Sequence, residues 1–285
     1  MNYVNCNLCP RQCGADRTAG QKGFCKAPAI AVVSKTMLHQ WEEPILAPNG
    51  KSGAIFFGGC TLGCIYCQNY AISRTPRGQL LDGTALRQEM NALVAQGAEN
   101  IDLVSPTPYL PTLLEALEKP ISVPVVYNTG GYERVESLQA LEGKVDIYLP
   151  DLKYADCGLA KTLSGAENYT AVATSAIREM VRQVGAPQFQ GEQLQKGVVI
   201  RHLILPGQVE NSLKVLDWIG ETFAPGEVLV SLMRQYTPTA GMKPPLNRAV
   251  TEEEYQAVLS WMYLNGIEGF TQEAASSGID YIPNF

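Results

Sequence analysis

From residue 54 onward the chain alternates short apolar runs with amphipathic segments, and that alternation leaves few folds open to it. The strand-like runs lie at 54–58, 100–105, 123–128, 145–151, 198–205 and 228–233. Val, Ile and Leu dominate several of them, as in strands covered on both faces. Helical patterns lie between the runs. In 84–96, Leu86, Met90, Leu93 and Val94 share one face, and Gly97 closes the segment. In 211–222, Asn211 reads as a cap, with Leu213, Leu216 and Ile219 spaced for burial. The segment 251–264 opens with a capping box, Thr251 and Glu254, and Tyr255, Val258, Leu259 and Met262 line one side. The stretch 155–196 is longer than one connection needs and is expected to hold two helices. Six βα units in series require a parallel sheet, and right-handed crossovers curl it. The expected fold is therefore α/β: a partial (β/α)6 TIM-like barrel over 54–285, with a small cysteine-rich module at 1–30 and a connector at 31–53.

The module is defined by its thiols. Seven of the eight cysteines fall before residue 70, in two groups. Clustered cysteines in a chain without a secretory leader point to metal rather than to disulfides. The start of the chain shows no basic segment leading into an apolar one, and no apolar run is long enough to span a membrane. A cytoplasmic location is expected. The net charge of −6 argues against nucleic acid as the main partner. Cys6, Cys9, Cys13 and Cys25 have little apolar material around them, so a bound metal would have to organise this stretch. Zinc, a single iron and a four-iron cluster all fit four thiolates. The site is either purely structural or an electron relay. Two residues outside the groups read as packing: Cys157 as a small buried hydrophobe and His39 as a satisfied core histidine.

Sites in βα barrels lie at the C-terminal ends of the strands. The first run leads into Gly58-Gly59-Cys60 and the second into Ser105-Pro106-Thr107-Pro108. The third leads into Asn128-Thr129-Gly130-Gly131 and the fourth into Asp151-Leu152-Lys153. The fifth meets Arg201-His202, and the sixth ends in Arg234-Gln235-Tyr236. Side chains alternate along a strand, so Ile147, Leu149, Asp151 and Lys153 share a face. Two apolar residues below two charges suit a barrel that is filled at the bottom and wet at the top. A solvated ion pair at a strand end is the plainer alternative. Arg201 and His202 point to opposite faces, and parity does not say which looks inward.

Cys60, Cys64 and Cys67, spaced C-x3-C-x2-C, directly follow the first run. A four-iron cluster on three thiolates keeps one iron without a protein ligand. An amine and a carboxylate on one small molecule can chelate that iron, and S-adenosylmethionine carries both. Electron transfer into its sulfonium bond then releases a 5′-deoxyadenosyl radical, which takes hydrogen from unactivated C–H bonds. The cofactor carries the hard step and the protein positions and shields it.

Cys60-x3-Cys64-x-Tyr66-Cys67, set after a first apolar strand, matches the motif of the radical S-adenosylmethionine (radical SAM) superfamily. The chain resembles, in particular, the branch similar to pyruvate formate-lyase activating enzyme. The resemblance is carried by Cys9-Pro10-Arg11-x-Cys13-Gly14, Glu42-Glu43-Pro44, Cys67-Gln68-Asn69, Tyr127-Asn128-Thr129-Gly130-Gly131-Tyr132, Asp146 through Lys153, Arg201-His202-Leu203-x-Leu205-Pro206-Gly207 and Gln235-Tyr236. It implies that Cys60, Cys64 and Cys67 ligate a [4Fe-4S] cluster and that Tyr66 lies beside the adenine. It implies that Asn128, Asp151 and Lys153 hold the ribose, the methionine end or a nearby cation, and that Arg201 approaches the cofactor carboxylate. It also implies a reductant such as flavodoxin or ferredoxin, and a glycyl-radical enzyme as the protein substrate. Two departures stand out. Where many relatives carry Gly-Gly-Glu for the methionine amine, this chain has Ser105-Pro106-Thr107-Pro108, so hydroxyls or backbone carbonyls must meet the amine. The four-cysteine module, with its second cluster or zinc, precedes the motif, whereas the best-known activating enzyme lacks such a module. Two other readings remain: a radical enzyme acting directly on a small molecule or peptide, and a non-enzymatic iron–sulfur or zinc protein.

Overall fold

The structure, a computed structural model, describes residues 2–40, 43–239 and 241–271. Glu42, within one of the stretches quoted above, lies outside the described residues. The strands are β1 (Ala31–His39), β2 (Ser52–Phe57), β3 (Gln79–Leu81), β4 (Asn100–Val104), β5 (Val125–Thr129), β6 (Ile147–Pro150), β7 (Gln188–Gln190), β8 (Gln193–Leu203), β9 (Leu229–Met233) and β10 (Gly269–Thr271). The helices are α1 (Tyr70–Ser73), α2 (Gly83–Ala95), α3 (Leu110–Ala116), α4 (Val135–Gln139), α5 (Cys157–Ser164), α6 (Tyr169–Val184), α7 (Val209–Thr222) and α8 (Glu252–Leu264). Strand order is β10-β9-β8-β6-β5-β4-β2-β1-β3, and the two ends of the sheet do not meet. Along that order from β2 to β10 the pairings are parallel, and β7, off the path, pairs antiparallel with β8. The fold is the expected α/β partial barrel, and all six expected strands are present.

Four strands went unforeseen. β1 lies within the stretch read as a connector and pairs antiparallel with β2 and β3. Its middle, Ser34, Lys35 and Thr36, is polar and half-buried, so it carries none of the apolar run that marks a central strand. β3, β7 and β10 span only three residues each, too short to show a period. The rest of the connector also has work: Ile45 and Leu46 pack with Val126, Ile147, Leu149, Val199 and Leu229. This is the apolar floor of the barrel. Two smaller readings are corrected. Asn211 does not cap α7, which begins two residues earlier; its carboxamide accepts from Ala155 N at 2.9 Å and donates to Lys153 O at 3.0 Å, holding the chain beyond β6. Cys157 is exposed, because it opens α5 on the solvent side, next to the capping Asp156. The capping box at Thr251 forms as expected, and 155–196 does carry two helices.

The N-terminal module is packed onto the barrel rather than tethered to it. Leu8 and Ala27 are buried in the main core. Ser137 Oγ donates to Leu8 O at 2.7 Å and Arg134 to Asn7 O at 2.6 Å. Arg17, almost fully buried, donates to Pro108 O at 2.6 Å and lies 4.4 Å from the Tyr3 ring centre. No helix among the described residues is long and apolar enough to cross a membrane.

His202 faces the helices and is fully buried. Nδ1 is 2.7 Å from Leu152 O, so it must carry the proton, and Nε2, 2.9 Å from Ser212 Oγ, accepts. Burial, opposed by the Leu152 carbonyl, lowers its pKa from 6.5 to about 4. Unfolded, the ring takes a proton near pH 6.5; folded, it resists until about 4. Stability tied to His202 is therefore complete above pH 6.5 and falls as the pH drops toward 4, by roughly 3 kcal/mol in all. Urea denaturation across this range should give a steeper loss for the wild type than for His202→Asn; parallel profiles would contradict the assignment.

Candidate active site

The cysteine loop leaves β2 through Gly58 and Gly59. Gly59 has φ +86, and a Cβ there would come within 2.7 Å of Cys25 O. Only glycine lets this turn pass so closely under the N-terminal module. The loop then brings Cys60, Cys64 and Cys67 to the wall of a cavity of about 250 Å³. Each sulfur has a donor or a hydroxyl beside it. Leu62 N donates to Cys60 Sγ at 3.4 Å, Ser164 Oγ donates to Cys64 Sγ at 3.0 Å, and the Ser73 hydroxyl bonds Cys67. Burial, then the charge of Cys64, raises the Cys60 pKa; burial, then Cys64 and Cys60, pushes Cys67 up to about 12.

Cys60 and Cys67 therefore hold their protons more tightly than a free thiol does. A strongly Lewis-acidic centre is what would deprotonate them, and the donor set suits an iron–sulfur cluster in that respect. No group of three or more His, Cys, Asp or Glu among the described residues is arranged to hold a single metal ion. Two thiols of the N-terminal quartet, Cys9 and Cys25, share this character. Cys6, Cys9 and Cys25 are buried and Cys13 is exposed. Burial, with the nearby charges of Cys25, Glu133 and Cys6 adding to it, lifts Cys9 to about 12. Burial also raises Cys25, which feels the charges of Cys6 and Cys13.

Opposite the thiols, the strand ends carry a connected polar layer. Arg201 faces inward: Nε donates to Asp151 Oδ1 at 3.0 Å and Nη2 to Asn128 Oδ1 at 2.5 Å. This answers the question that parity left open, since His202 faces the helices. Lys153 Nζ donates to the other Asp151 oxygen, and Asn128 Nδ2 to Asp102 Oδ2 at 3.2 Å. Strand register accounts for the order, because Val104 pairs with Asn128 and Asn128 with Leu149, while Asp151 bridges to Arg201. The Lys153 and Arg201 charges outweigh burial and hold the Asp151 carboxyl below its usual range. Asn128, Asp151, Lys153 and Arg201 wall the same cavity as the three thiols, together with Ser105, Thr129, Gln68 and Gln235.

Tyr66 also lines the cavity, with its hydroxyl 2.7 Å from that of Tyr154. His39, read as packing, is buried edge-on to Phe56 and forms another part of the wall. Asp102 and Glu133 were missed. Asp102 sits inside an apolar run, where only its inward parity could have marked it. Glu133 follows Gly130-Gly131 and is buried, taking hydrogen bonds from Thr107 at 2.5 Å and from Thr129. Burial raises its pKa to about 7. It holds the hydroxyl of Thr107, in the stretch that replaces Gly-Gly-Glu, and that of Thr129 at the end of β5.

No family model matches the sequence. Over 269 residues the chain is 30% identical to the uncharacterized protein MJ0674 of Methanocaldococcus jannaschii, covering 90% of this chain and 74% of that protein. The chain belongs to the family of that protein. Among solved structures it is similar to a radical SAM methyltransferase from Sphaerobacter thermophilus, with a TM-score of 0.55 and 16% identity over 80% of this chain and 68% of the other. It is also similar to HydG, a maturase of the [FeFe]-hydrogenase, with a TM-score of 0.50 and 14% identity over 74% of this chain and 49% of that one. At these identities the likeness shows the fold, an open parallel barrel shared with a radical SAM methyltransferase.

The Asp151 carboxylate lies between two cations, and all three side chains are largely buried. Asp151→Asn would remove the carboxylate that Lys153 and Arg201 share. A loss of about 3–5 kcal/mol is expected in urea denaturation. A loss below roughly 1 kcal/mol would mark it as the solvated pair of an ordinary strand end.

Proposed function

We propose that this chain is a radical SAM enzyme, in which Cys60, Cys64 and Cys67 hold a [4Fe-4S] cluster and the facing polar layer seats S-adenosylmethionine. The observation that carries the reading is the shared cavity: three thiols on one wall, and Asn128, Asp151, Lys153 and Arg201 on the other. Held by Cys60, Cys64 and Cys67, such a cluster would supply the electron for reductive cleavage of the sulfonium bond and so the hydrogen-abstracting radical. The residues of the chain bind and orient. Arg201, braced by Asp151 and Asn128, offers a fixed guanidinium to the cofactor carboxylate. Asp151 and Asn128 are placed for ribose hydroxyls, and the Tyr66 ring for the adenine. Ser105 and Thr129 line the cavity where Gly-Gly-Glu is absent, and their oxygens meet the methionine amine.

The substrate reading rests on the resemblance across nearly the whole chain: hydrogen abstraction from a glycine of a partner protein, with flavodoxin or ferredoxin as the electron source, in the cytoplasm. The N-terminal quartet, Cys6, Cys9, Cys13 and Cys25, is the second centre of this reading, a further iron–sulfur cluster. Its support is the spacing of four thiols in one short module, three of them buried.

Anaerobic protein with a reduced cluster should convert S-adenosylmethionine to 5′-deoxyadenosine, and Cys64→Ala should abolish the product. Equal product from both proteins, or none from either, would sink the reading. A glycyl-radical resonance on a co-purified partner would support activation; turnover without one would favour a small substrate.

A further inference from the structure

Arg11 leaves the N-terminal module and ends inside the cysteine loop. It stands in the turn between Cys9 and Cys13, where Gln12 N donates to Cys9 O at 3.0 Å and Gln12 itself takes φ +40. Such a backbone conformation is unusual for a non-glycine residue and persists only where its surroundings enforce it. The guanidinium it presents makes four bonds, all to carbonyls. Nε donates to Thr61 O at 3.0 Å and Nη2 to Leu62 O at 3.2 Å, both between the first two cysteines of the loop. Nη2 also reaches Ser164 O at 3.0 Å, and Nη1 reaches Gly165 O at 2.5 Å, at the C-terminal end of α5. The group stacks on Phe24, 3.9 Å from its ring centre, and lies 5.3 Å from that of Tyr132. A cation at a helix C-terminus also meets the negative end of its dipole. One side chain from the module thus holds together the loop and the end of α5.

What α5 brings to that junction is Ser164. Its hydroxyl donates to Cys64 Sγ at 3.0 Å and is 2.7 Å from the Tyr154 hydroxyl, which is 2.7 Å from that of Tyr66. Each hydroxyl has one proton, so the chain is satisfied with Tyr66 donating to Tyr154, Tyr154 to Ser164 and Ser164 to sulfur. Bonds aligned in this way reinforce one another in a buried site. Hydrogen bonds to ligating sulfur are among the features that set the potential of an iron–sulfur cluster. A donor aimed at thiolate sulfur favours the reduced cluster, which carries more negative charge, and so raises the potential.

We propose that Arg11 and Ser164 are positioning residues that set the reduction potential of the cluster at Cys60, Cys64 and Cys67, and that the N-terminal module exerts this control through Arg11. The inference rests on the radical SAM reading. It gives the module a role at the site whichever metal the quartet holds.

The test is a reductive titration of anaerobically reconstituted full-length protein, followed by electron paramagnetic resonance, after iron and sulfide have been counted. Ser164→Ala should lower the midpoint potential, shifting the reduction equilibrium about tenfold, or about 59 mV for a one-electron couple. Ser164→Thr, which keeps the hydroxyl, should restore most of it. Arg11→Lys keeps the charge but loses the fork, and should move the potential in the same direction as Ser164→Ala. If Arg11→Lys fails to load, the serine pair decides. A wild type without iron and sulfide overturns the radical SAM reading and the inference with it. A loaded wild type whose potential is unmoved in Ser164→Ala overturns the inference alone.

Discussion

Asp151 holds two cations inside the mouth of the barrel, and the arrangement of the site depends on that pairing. Its carboxylate bonds Lys153 on one oxygen and Arg201 on the other. Without it, two cations would stand together in a mostly dehydrated space, where like charges are costly. With it, Arg201 is fixed in direction and donates from Nη2 to Asn128, which in turn reaches Asp102. The layer has two acids, two bases and one amide. It therefore adds little net charge, but it offers oriented donors and acceptors to a zwitterionic ligand. The apolar floor of Ile45, Leu46, Val126, Ile147, Leu149, Val199 and Leu229 closes the barrel beneath it.

Much of this was legible because a strand has a two-residue period. Ile147, Leu149, Asp151 and Lys153 on one face already implied a filled bottom and a charged top. The cysteine loop was equally legible, since its spacing after an apolar run is a local pattern. What could not be read depends on register between strands or on distant chain. The choice between Arg201 and His202 needs to know which face of β8 meets the helices. Asp102 looked like a break in an apolar run until its neighbour Asn128 was in view. β1 lacked an apolar signature because it covers an edge and meets solvent along its middle. Glu133 carried a weak signal, an acid just past Gly130-Gly131, but of its partners Thr129 ends the same strand and Thr107 comes from the end of β4.

The N-terminal module shows how little spacing alone conveys. Four thiols suggested a separate metal-held unit. In the structure, Arg17 is buried against Pro108 and the Tyr3 ring, and Arg11 grips the carbonyls of the cysteine loop and of α5. An arginine between two cysteines was visible in the sequence, but its acceptors lie up to 154 positions away. Gly59 explains the contact from the other side: its missing side chain is what lets the loop run against Cys25 O. Module and loop are therefore fitted to each other, which supports reading them as one device.

The central claim is that three thiolates, and not four, hold the cluster at this mouth, so that one iron is left for S-adenosylmethionine. Mössbauer spectroscopy on an anaerobically reconstituted Cys6/Cys9/Cys13→Ala variant, with and without S-adenosylmethionine, tests it most directly. Removal of the N-terminal thiols confines the signal to the loop at Cys60. The expected result is one four-iron cluster in which a single iron changes its isomer shift when S-adenosylmethionine is added. A variant that keeps no iron and sulfide, or a cluster whose irons are all indifferent to S-adenosylmethionine, would contradict the claim.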